Sequence, residues 1–215
     1  MADQDDASKT LYVSCELAES KEDGPGEAEK PVQKKRPRKN LTYSVNLVDL
    51  RTLGDSPARK CYEDLLEGSR AEIAKNPEDA SGSYELCCIA LCELGRLKEA
   101  KEAARQAIKL NPKYAGAHRN RAVSKYELGL YKTAIADLNK AIDLDPEDAI
   151  AYERRAVVKA TLERLPEAID DFTEAIKLDP MDYVAYYNRG LARKELGLDK
   201  EADQDFEQAK RLEQK

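Results

Sequence analysis

The 215-residue chain contains no tryptophan, two phenylalanines and one histidine, which leaves little material for histidine-based catalysis. It has no run of about 18 apolar residues, the length that a membrane-spanning helix requires. Its opening residues, MADQDDASKT, are too acidic for a signal peptide. The five cysteines lie without the spacing of a disulfide framework, so we expect reduced thiols in a cytoplasmic or nuclear protein.

Sites for enzymatic chemistry are also scarce. There is no glycine-rich phosphate loop, and no serine or cysteine nucleophile has a paired base. Cys87, Cys88 and Cys92 share one predicted helix, but zinc would need further ligands that no second cluster supplies. We therefore predict small buried thiols, no metal, no cofactor and no enzymatic activity.

The sequence is rich in charged residues and poor in aromatic ones. Charged residues make up 36% of the sequence, aromatic residues make up 6%, and the formal net charge is −6. This composition is too polar for one thick core, but it suits a thin solenoid in which each helix pair buries one face. A net acidic chain also argues against a nucleic-acid-binding protein.

The dominant feature is a 34-residue period, which indicates a two-helix solenoid. It divides the chain into units 81–114, 115–148, 149–182 and 183–215. An aromatic residue or histidine stands at position 4, leucine at position 14, and alanine at positions 20 and 27 of each unit. The residues that repeat in this way are Tyr84, His118, Tyr152 and Tyr186; Leu94, Leu128, Leu162 and Leu196; Ala100, Ala134, Ala168 and Ala202; and Ala107, Ala141, Ala175 and Ala209.

These positions resemble the tetratricopeptide repeat (TPR) pattern. The resemblance implies an all-α, right-handed solenoid of helix-turn-helix units, in which helix A and helix B of each unit pack closely. Prolines Pro112, Pro146 and Pro180 are expected to end helix B, since proline cannot continue a helix. In unit 4, the polar residues Asp199, Asp203 and Lys210 stand at positions that are apolar or aromatic in units 2 and 3, so we expect the array to end there.

The sequence before the repeats divides into three parts. Residues 1–40 are predicted to be a disordered tail, first acidic and then basic. Its five clustered cations resemble a nuclear localisation signal, with a solvated basic linker as the alternative: Lys34, Lys35, Arg36, Arg38 and Lys39. Residues 41–55 are predicted to be an extended linker, which lies along the array or occupies its groove.

A capping helix is predicted over residues 56–76. Ser56 and Pro57 provide an N-cap followed by proline at the first helical position. The apolar stripe of this helix is predicted to contain Cys61, Leu65, Ser69 and Ile73.

Charges recur together in units 2 to 4. Position 7 is arginine, position 11 is basic and position 23 is aspartate, whereas unit 1 has Cys87, Leu91 and Ala103 there. We predict that each arginine reaches the aspartate of its own unit, with Arg121 facing Asp137, Arg155 facing Asp171 and Arg189 facing Asp205. Exposed pairs of this kind contribute at most about 1 kcal/mol each.

The resemblance places binding on the concave surface formed by the A helices. The candidate groove residues are Arg119, Asn120, Val123, Tyr126, Arg154, Val157, Tyr187 and Asn188. Arginine and asparagine there suit an extended peptide that carries an acidic side chain or a C-terminal carboxylate.

The carboxylate clamp that holds the EEVD tails of Hsp70 and Hsp90 is matched only in part. Arg119 fits one register, and Asn120 and Arg154 fit another, but Val123 and Val184 stand where the clamp needs polar residues. The predicted function is therefore a non-catalytic protein-interaction adaptor. The alternatives are a co-chaperone with a degenerate clamp and a structural subunit of a larger assembly.

Overall fold

The computed structural model describes residues 57–214, and in that range the regular structure is entirely helical. A 3₁₀ turn (Pro77–Asp79) separates α1 from α2. The nine α-helices of this range are α1 (Pro57–Lys75), α2 (Ser81–Glu93), α3 (Leu97–Leu110), α4 (Ala115–Glu127), α5 (Tyr131–Leu144), α6 (Ala149–Thr161), α7 (Leu165–Leu178), α8 (Tyr183–Glu195) and α9 (Asp199–Glu213). The predicted all-α repeat fold is confirmed. The predicted tail 1–40, the linker 41–55 and the N-cap Ser56 lie outside the described residues.

Each repeat unit is one helix pair. The even-numbered helices α2, α4, α6 and α8 are the A helices, and α3, α5, α7 and α9 are the B helices. The first three B helices end at Leu110, Leu144 and Leu178, one residue before an Asn-Pro or Asp-Pro pair. A proline forces the residue before it out of the helical region. The residues before these prolines, Asn111, Asp145 and Asp179, are accordingly extended, with ψ near 91–92°.

The turn from helix A to helix B uses a left-handed residue. Gly95, Gly129 and Gly197 have φ of 72°, 75° and 77°, which glycine adopts without the Cβ clash that other residues suffer. In unit 3 the same position is Glu163, with φ of 61°. A side chain here costs conformational energy, so unit 3 carries local strain that the other units avoid.

Small residues let the two helices of a unit approach closely. The alanines at position 20 and the small residues at position 8 are buried in all four units. Gly190 shows how tight this contact is, because a Cβ there would lie 2.7 Å from the Phe206 ring. The periodic alanines are therefore a packing requirement of the helix pair.

Helix α1 covers the first unit with three of the four residues of the predicted stripe, Leu65, Ser69 and Ile73. It packs against α2, and its buried residues are Leu66 and Ser69. Cys61, which the sequence pattern placed on the inner face, is exposed, so that part of the prediction is wrong. Leu65 and Ile73 are half-buried against the same core.

The predicted arginine–aspartate pairs are present in units 2 to 4. Arg155 donates to both oxygens of Asp171 at 2.9 and 2.8 Å, and Lys159 lies 2.6 Å from the same carboxylate. Units 2 and 4 repeat this arrangement around Asp137 and Asp205. The aspartates are buried, at 5% exposure for Asp171, so these are not the exposed pairs that the sequence suggested. Removing one partner of a buried pair costs more than breaking a surface pair.

Successive A helices lie side by side: α2 contacts α4, α4 contacts α6, and α6 contacts α8. The three polar residues Asp199, Asp203 and Lys210 on α9 are exposed, as their position predicted. The row of A helices presents the surface on which the candidate site residues lie.

Candidate functional site

We use the name A-helix groove for the surface formed by α2, α4 and α6 where these three helices meet. Cross-helix hydrogen bonds hold it in shape. The Asn120 amide on α4 donates to Glu85 on α2 at 3.0 Å, and the hydroxyls of Tyr126 and Thr161 join α4 to α6 at 3.3 Å. The groove is therefore a built surface with fixed side chains.

At one end of the groove, Glu85 is enclosed by neighbours. It accepts hydrogen bonds from the Tyr114 hydroxyl and the Asn120 amide. Gly116 leaves room for this carboxylate, since a Cβ there would lie 2.5 Å from Glu85 Oε1. Burial raises the pKa of Glu85, and the charge of Arg119 opposes that rise.

The next cation along the groove already has a partner. Arg119 Nη1 donates to Asp148 Oδ2 at 2.5 Å, and Asp148 also caps α6 by accepting from the Ala151 amide. The side chains are 21% and 7% exposed. The carboxylate that we expected a ligand to bring to Arg119 is thus supplied by the chain itself.

Arg154, in the centre, is different. Its Nη1 atom is buried and has no hydrogen-bond partner, and its ion-pair contact is from Nε to Glu153 Oε2 at 3.7 Å. Glu153 is 5% exposed, so this ion pair is buried. Burial raises the pKa of Glu153, Arg154 lowers it and Asp182 raises it.

A second carboxylate faces Arg154 from α2. Burial raises the pKa of Glu93 to about 7; the Arg154 charge opposes this rise and the Glu127 charge on α4 adds to it. The centre of the groove therefore places carboxylates from α2 and α6 beside one guanidinium, with the Glu127 carboxylate of α4 near Glu93.

An apolar cleft lies beside Arg154. Its lining joins α4 and α6 and includes Val123, Tyr126 and Val157, together with Ala122, Leu138 and Val158. Burial raises the pKa of Tyr126 to about 12, so this phenol is a neutral hydrogen-bonding group. The cleft offers apolar contact area next to an unpaired guanidinium N–H.

The predicted site residues are thus divided. Six of them lie together on α4 and α6: Arg119, Asn120, Val123, Tyr126, Arg154 and Val157. Tyr187 on α8 is 43% exposed, with its ring 5.5 Å from that of Phe206. Asn188 is fully buried, so its amide is not open to a peptide, contrary to our expectation. The five cations at positions 34–39 lie outside the described residues and stay a prediction.

The predicted site residues do not include the carboxylates of the groove. Glu93 and Glu127 both stand at position 13 of their units, and Glu195 repeats the pattern in unit 4. That recurrence is visible in the 34-residue register. Glu153 stands at position 5, which the resemblance places on the concave surface, although its residue type varies: Glu, Arg, Glu and Tyr in the four units.

The remaining chemical groups are placed in the core. Cys87, Cys88 and Cys92 are buried, and Cys92 Sγ lies 3.3 Å from the Ser124 hydroxyl. His118 is 7% exposed, with Nε2 3.1 Å from the Pro112 carbonyl oxygen. Residues 57–214 contain no His/Cys/Asp/Glu group suited to hold a metal ion and no helix long and apolar enough to cross a membrane.

Sequence comparison identifies the repeat. The profile described as tetratricopeptide repeat matches residues 89–149 and 121–183, and a second profile with the same description matches 183–215. None of the curated proteins matches the chain significantly.

Three solved structures with the same fold align with this chain over most of their own length. MamA is 22% identical with a TM-score of 0.61, covering 80% of this chain and 97% of its own. YrrB, a TPR protein with an unusual peptide-binding site, is 19% identical with a TM-score of 0.56, covering 72% and 79%. The first TPR of Spaghetti (RPAP3), bound to the HSP90 peptide SRMEEVD, is 22% identical with a TM-score of 0.53, covering 54% and 93%.

These identities show a shared fold. Because the repeat profiles match more than half of the chain and the helix pairs follow the 34-residue register, the chain belongs to the tetratricopeptide repeat family.

Proposed function

We propose that this protein is a non-catalytic interaction adaptor that binds an extended segment of a partner in the A-helix groove. The observation that carries the proposal is an unsatisfied donor at the centre of the groove. Arg154 Nη1 is a buried N–H without an acceptor, and the buried Glu153 carboxylate beside it lies 3.7 Å from Arg154 Nε. A buried donor left in this state costs about 1–3 kcal/mol of free energy, and a ligand that supplies an acceptor recovers it.

A peptide backbone has the chemistry to satisfy both groups. Its carbonyl oxygen accepts from Arg154, and its N–H donates to Glu153. The apolar cleft beside them, with Val123 and Val157, offers an apolar surface against which an adjacent side chain can pack. An extended segment presents backbone and side chains in this alternation.

Two further points support the proposal. Stacked repeats create extended concave surfaces that solenoid proteins use for binding. YrrB has a peptide-binding site and the RPAP3 domain holds a peptide, and both share this fold.

The expectation of an acidic or carboxylate-bearing partner has weaker support. Arg119 is paired with Asp148 at 2.5 Å, and Arg154 lies among glutamates. An acidic ligand would have to displace Asp148, which also caps α6. The co-chaperone alternative with a degenerate clamp therefore has less support than a general peptide-binding adaptor.

The test is affinity capture from cell extract with three baits, followed by quantitative mass spectrometry. The baits are the wild type, Arg154→Gln in the groove, and Arg164→Gln as the matched control. Arg164→Gln removes one positive charge, as Arg154→Gln does. Arg164 is exposed, however, and pairs with Glu167 at the start of α7. We expect a partner that is lost from Arg154→Gln and retained by Arg164→Gln.

Two results would contradict the proposal. Partners that are retained by both variants would show that the groove centre is not the binding site. A partner that stays stoichiometric with both variants at 0.5 M salt would favour the structural-subunit alternative.

A further inference from the structure

The charges around Arg154 favour a ligand of one sign. Glu93 on α2 and Glu153 on α6 face this one guanidinium, Glu127 on α4 acts on Glu93, and Asp182 at the start of α8 acts on Glu153. The groove centre thus carries more negative than positive charge. An acidic peptide entering here meets repulsion, and a basic one is attracted.

Comparison of two units shows what is missing. In unit 2, the position-5 side chain is Arg119, which neutralises Asp148, the last residue of that unit and the N-cap of α6. In unit 3, position 5 is Glu153, and the last residue, the N-cap of α8, is again an aspartate, Asp182. The cation that unit 2 provides for itself is replaced by a carboxylate in unit 3.

Glu153 is also buried beside a cation that is not close. It is 5% exposed, and its ion pair with Arg154 is long at 3.7 Å. A buried carboxylate in this state is stabilised by any cation that reaches it.

We infer that the segment bound in the A-helix groove is a basic one from a separate protein, with a lysine or arginine side chain that meets Glu153 and the neighbouring Glu93. Arg154 Nη1 then donates to a backbone carbonyl of the same segment, so that it is paired without a ligand carboxylate. This inference rests on the proposed function and specifies the chemical class of its ligand.

Protonation provides an independent signature. Glu93 is faced by Arg154 on α6 and Glu127 on α4, and Glu153 by Arg154 and Asp182. Burial raises the pKa of both groups, to about 7 for Glu93. A cationic ligand binds the deprotonated forms, so its affinity rises between pH 6 and pH 8, whereas an acidic ligand shows the opposite trend.

The experiment is selection of a random 12-residue peptide library displayed on phage against the full chain. A second selection uses the full chain with the five cations at positions 34–39 replaced by alanine, because acidic peptides would otherwise bind the tail. Enriched peptides are then synthesised, and their affinity is measured by fluorescence anisotropy at pH 6, 7 and 8.

The variants are Glu153→Gln and Glu93→Gln, which remove one carboxylate each from different helices, and Glu174→Gln as the control. Glu174 lies exposed on a B helix. We expect lysine- or arginine-containing peptides whose affinity falls about tenfold in each groove variant and is unchanged in Glu174→Gln. Circular dichroism checks that each variant is folded. If Glu153→Gln does not fold, Glu93→Gln provides the test.

The other outcomes separate the two proposals. Enrichment of Asp- or Glu-rich peptides on the tail-neutralised chain would overturn the basic ligand and leave the adaptor function standing. If basic peptides bind only after the tail is neutralised, the inference of a ligand from a separate protein would be overturned. The groove would then be a site for the chain's own residues 34–39. Enrichment of no peptide on either chain would overturn the adaptor function itself.

Discussion

Replacing Asp171 by alanine should destabilise the array by about 2–3 kcal/mol. Asp171 accepts two hydrogen bonds from Arg155, at 2.9 and 2.8 Å, and lies 2.6 Å from Lys159. Hydrogen bonds to charged groups contribute about 1.5–3 kcal/mol each, so the three contacts set an upper limit well above our figure.

Solvent reduces that limit. The side chains of Arg155 and Lys159 are 17% and 12% exposed, so both cations can regain water when the carboxylate is removed. Arg155 also keeps its contact with Asn139 at 2.8 Å and its position over the Tyr152 ring. Alanine further favours the helix by up to about 0.7 kcal/mol, which lowers the net cost.

A compensated variant distinguishes pairing from a general loss of packing. Unit 1 shows that the fold accepts uncharged residues at these positions, with Cys87, Leu91 and Ala103. We therefore expect the triple variant Arg155→Met, Lys159→Leu, Asp171→Ala to be within about 1 kcal/mol of the wild type, because replacing a whole buried ion pair by apolar residues is often neutral.

The assay is urea unfolding followed by circular dichroism, together with hydrogen exchange of the α6 and α7 amides. The local readout is needed because solenoid repeats can unfold in segments. At about 2–4 °C per kcal/mol, Asp171→Ala should lower Tm by about 4–12 °C. A loss below about 0.5 kcal/mol in Asp171→Ala, or a triple variant as unstable as the single one, would refute the pairing argument.

Two further predictions concern single residues. Glu163→Gly should stabilise the protein by about 0.5–1 kcal/mol, since Glu163 has φ of 61° where units 1, 2 and 4 have glycine. The converse variant Gly129→Ala should be destabilised and serves as the control. An unchanged or lower Tm for Glu163→Gly would contradict the strain at this position. Glu93→Gln should become more stable relative to the wild type as pH rises from 5 to 8. The folded pKa of about 7 exceeds the ordinary 4.5, so between these values the native state holds a proton that the unfolded chain has lost, and wild-type stability falls with pH. Urea midpoints of the two proteins at pH 5, 6, 7 and 8 check this, and parallel curves would disprove it.

The helix ends were predictable from sequence because each has a local cause. Leu110 precedes Asn-Pro, Leu144 and Leu178 precede Asp-Pro, and the chain leaves the helix at each of these points. The alanine positions were equally predictable, since four aligned units gave the same small residue at the same helix contact.

The inner face of α1 was not predictable in the same way. A single helix without repeats offers neighbouring stripes of similar polarity, and the choice between them depends on the surface of α2. The structure selects Leu66 over Cys61.

Exposure in the groove also depends on neighbours rather than on register. Position 6 is Leu86 at 43% exposure in unit 1 and Asn188 at 0% in unit 4. The Arg119–Asp148 pair, by contrast, had a signal. Its residues are 29 apart, the same separation as Glu85 and Tyr114, so positions 5 and 34 of one unit meet wherever their chemistry allows.

The ionic clusters of units 3 and 4 have a role beyond their own helix pair. Arg155 donates to Asn139 on the B helix of the preceding unit, and Arg189 donates to Thr173 in the same way. These two arginines therefore each join three helices: their own A helix, their own B helix and the preceding B helix.

The neighbour of unit 1 explains why this unit lacks the arginine, the second basic residue and the aspartate of the other units. The helix that precedes it is α1, and Cys87 and Leu91 pack in one apolar cluster with Leu66 of that helix. An arginine at position 87 would meet an apolar partner, so the charged set follows the identity of the neighbour. Since these three-helix contacts fix how one unit sits on the next, they also fix the spacing of the A helices. The groove carboxylates Glu93 and Glu153 take no part in these clusters, so the shape of the groove is set by other side chains.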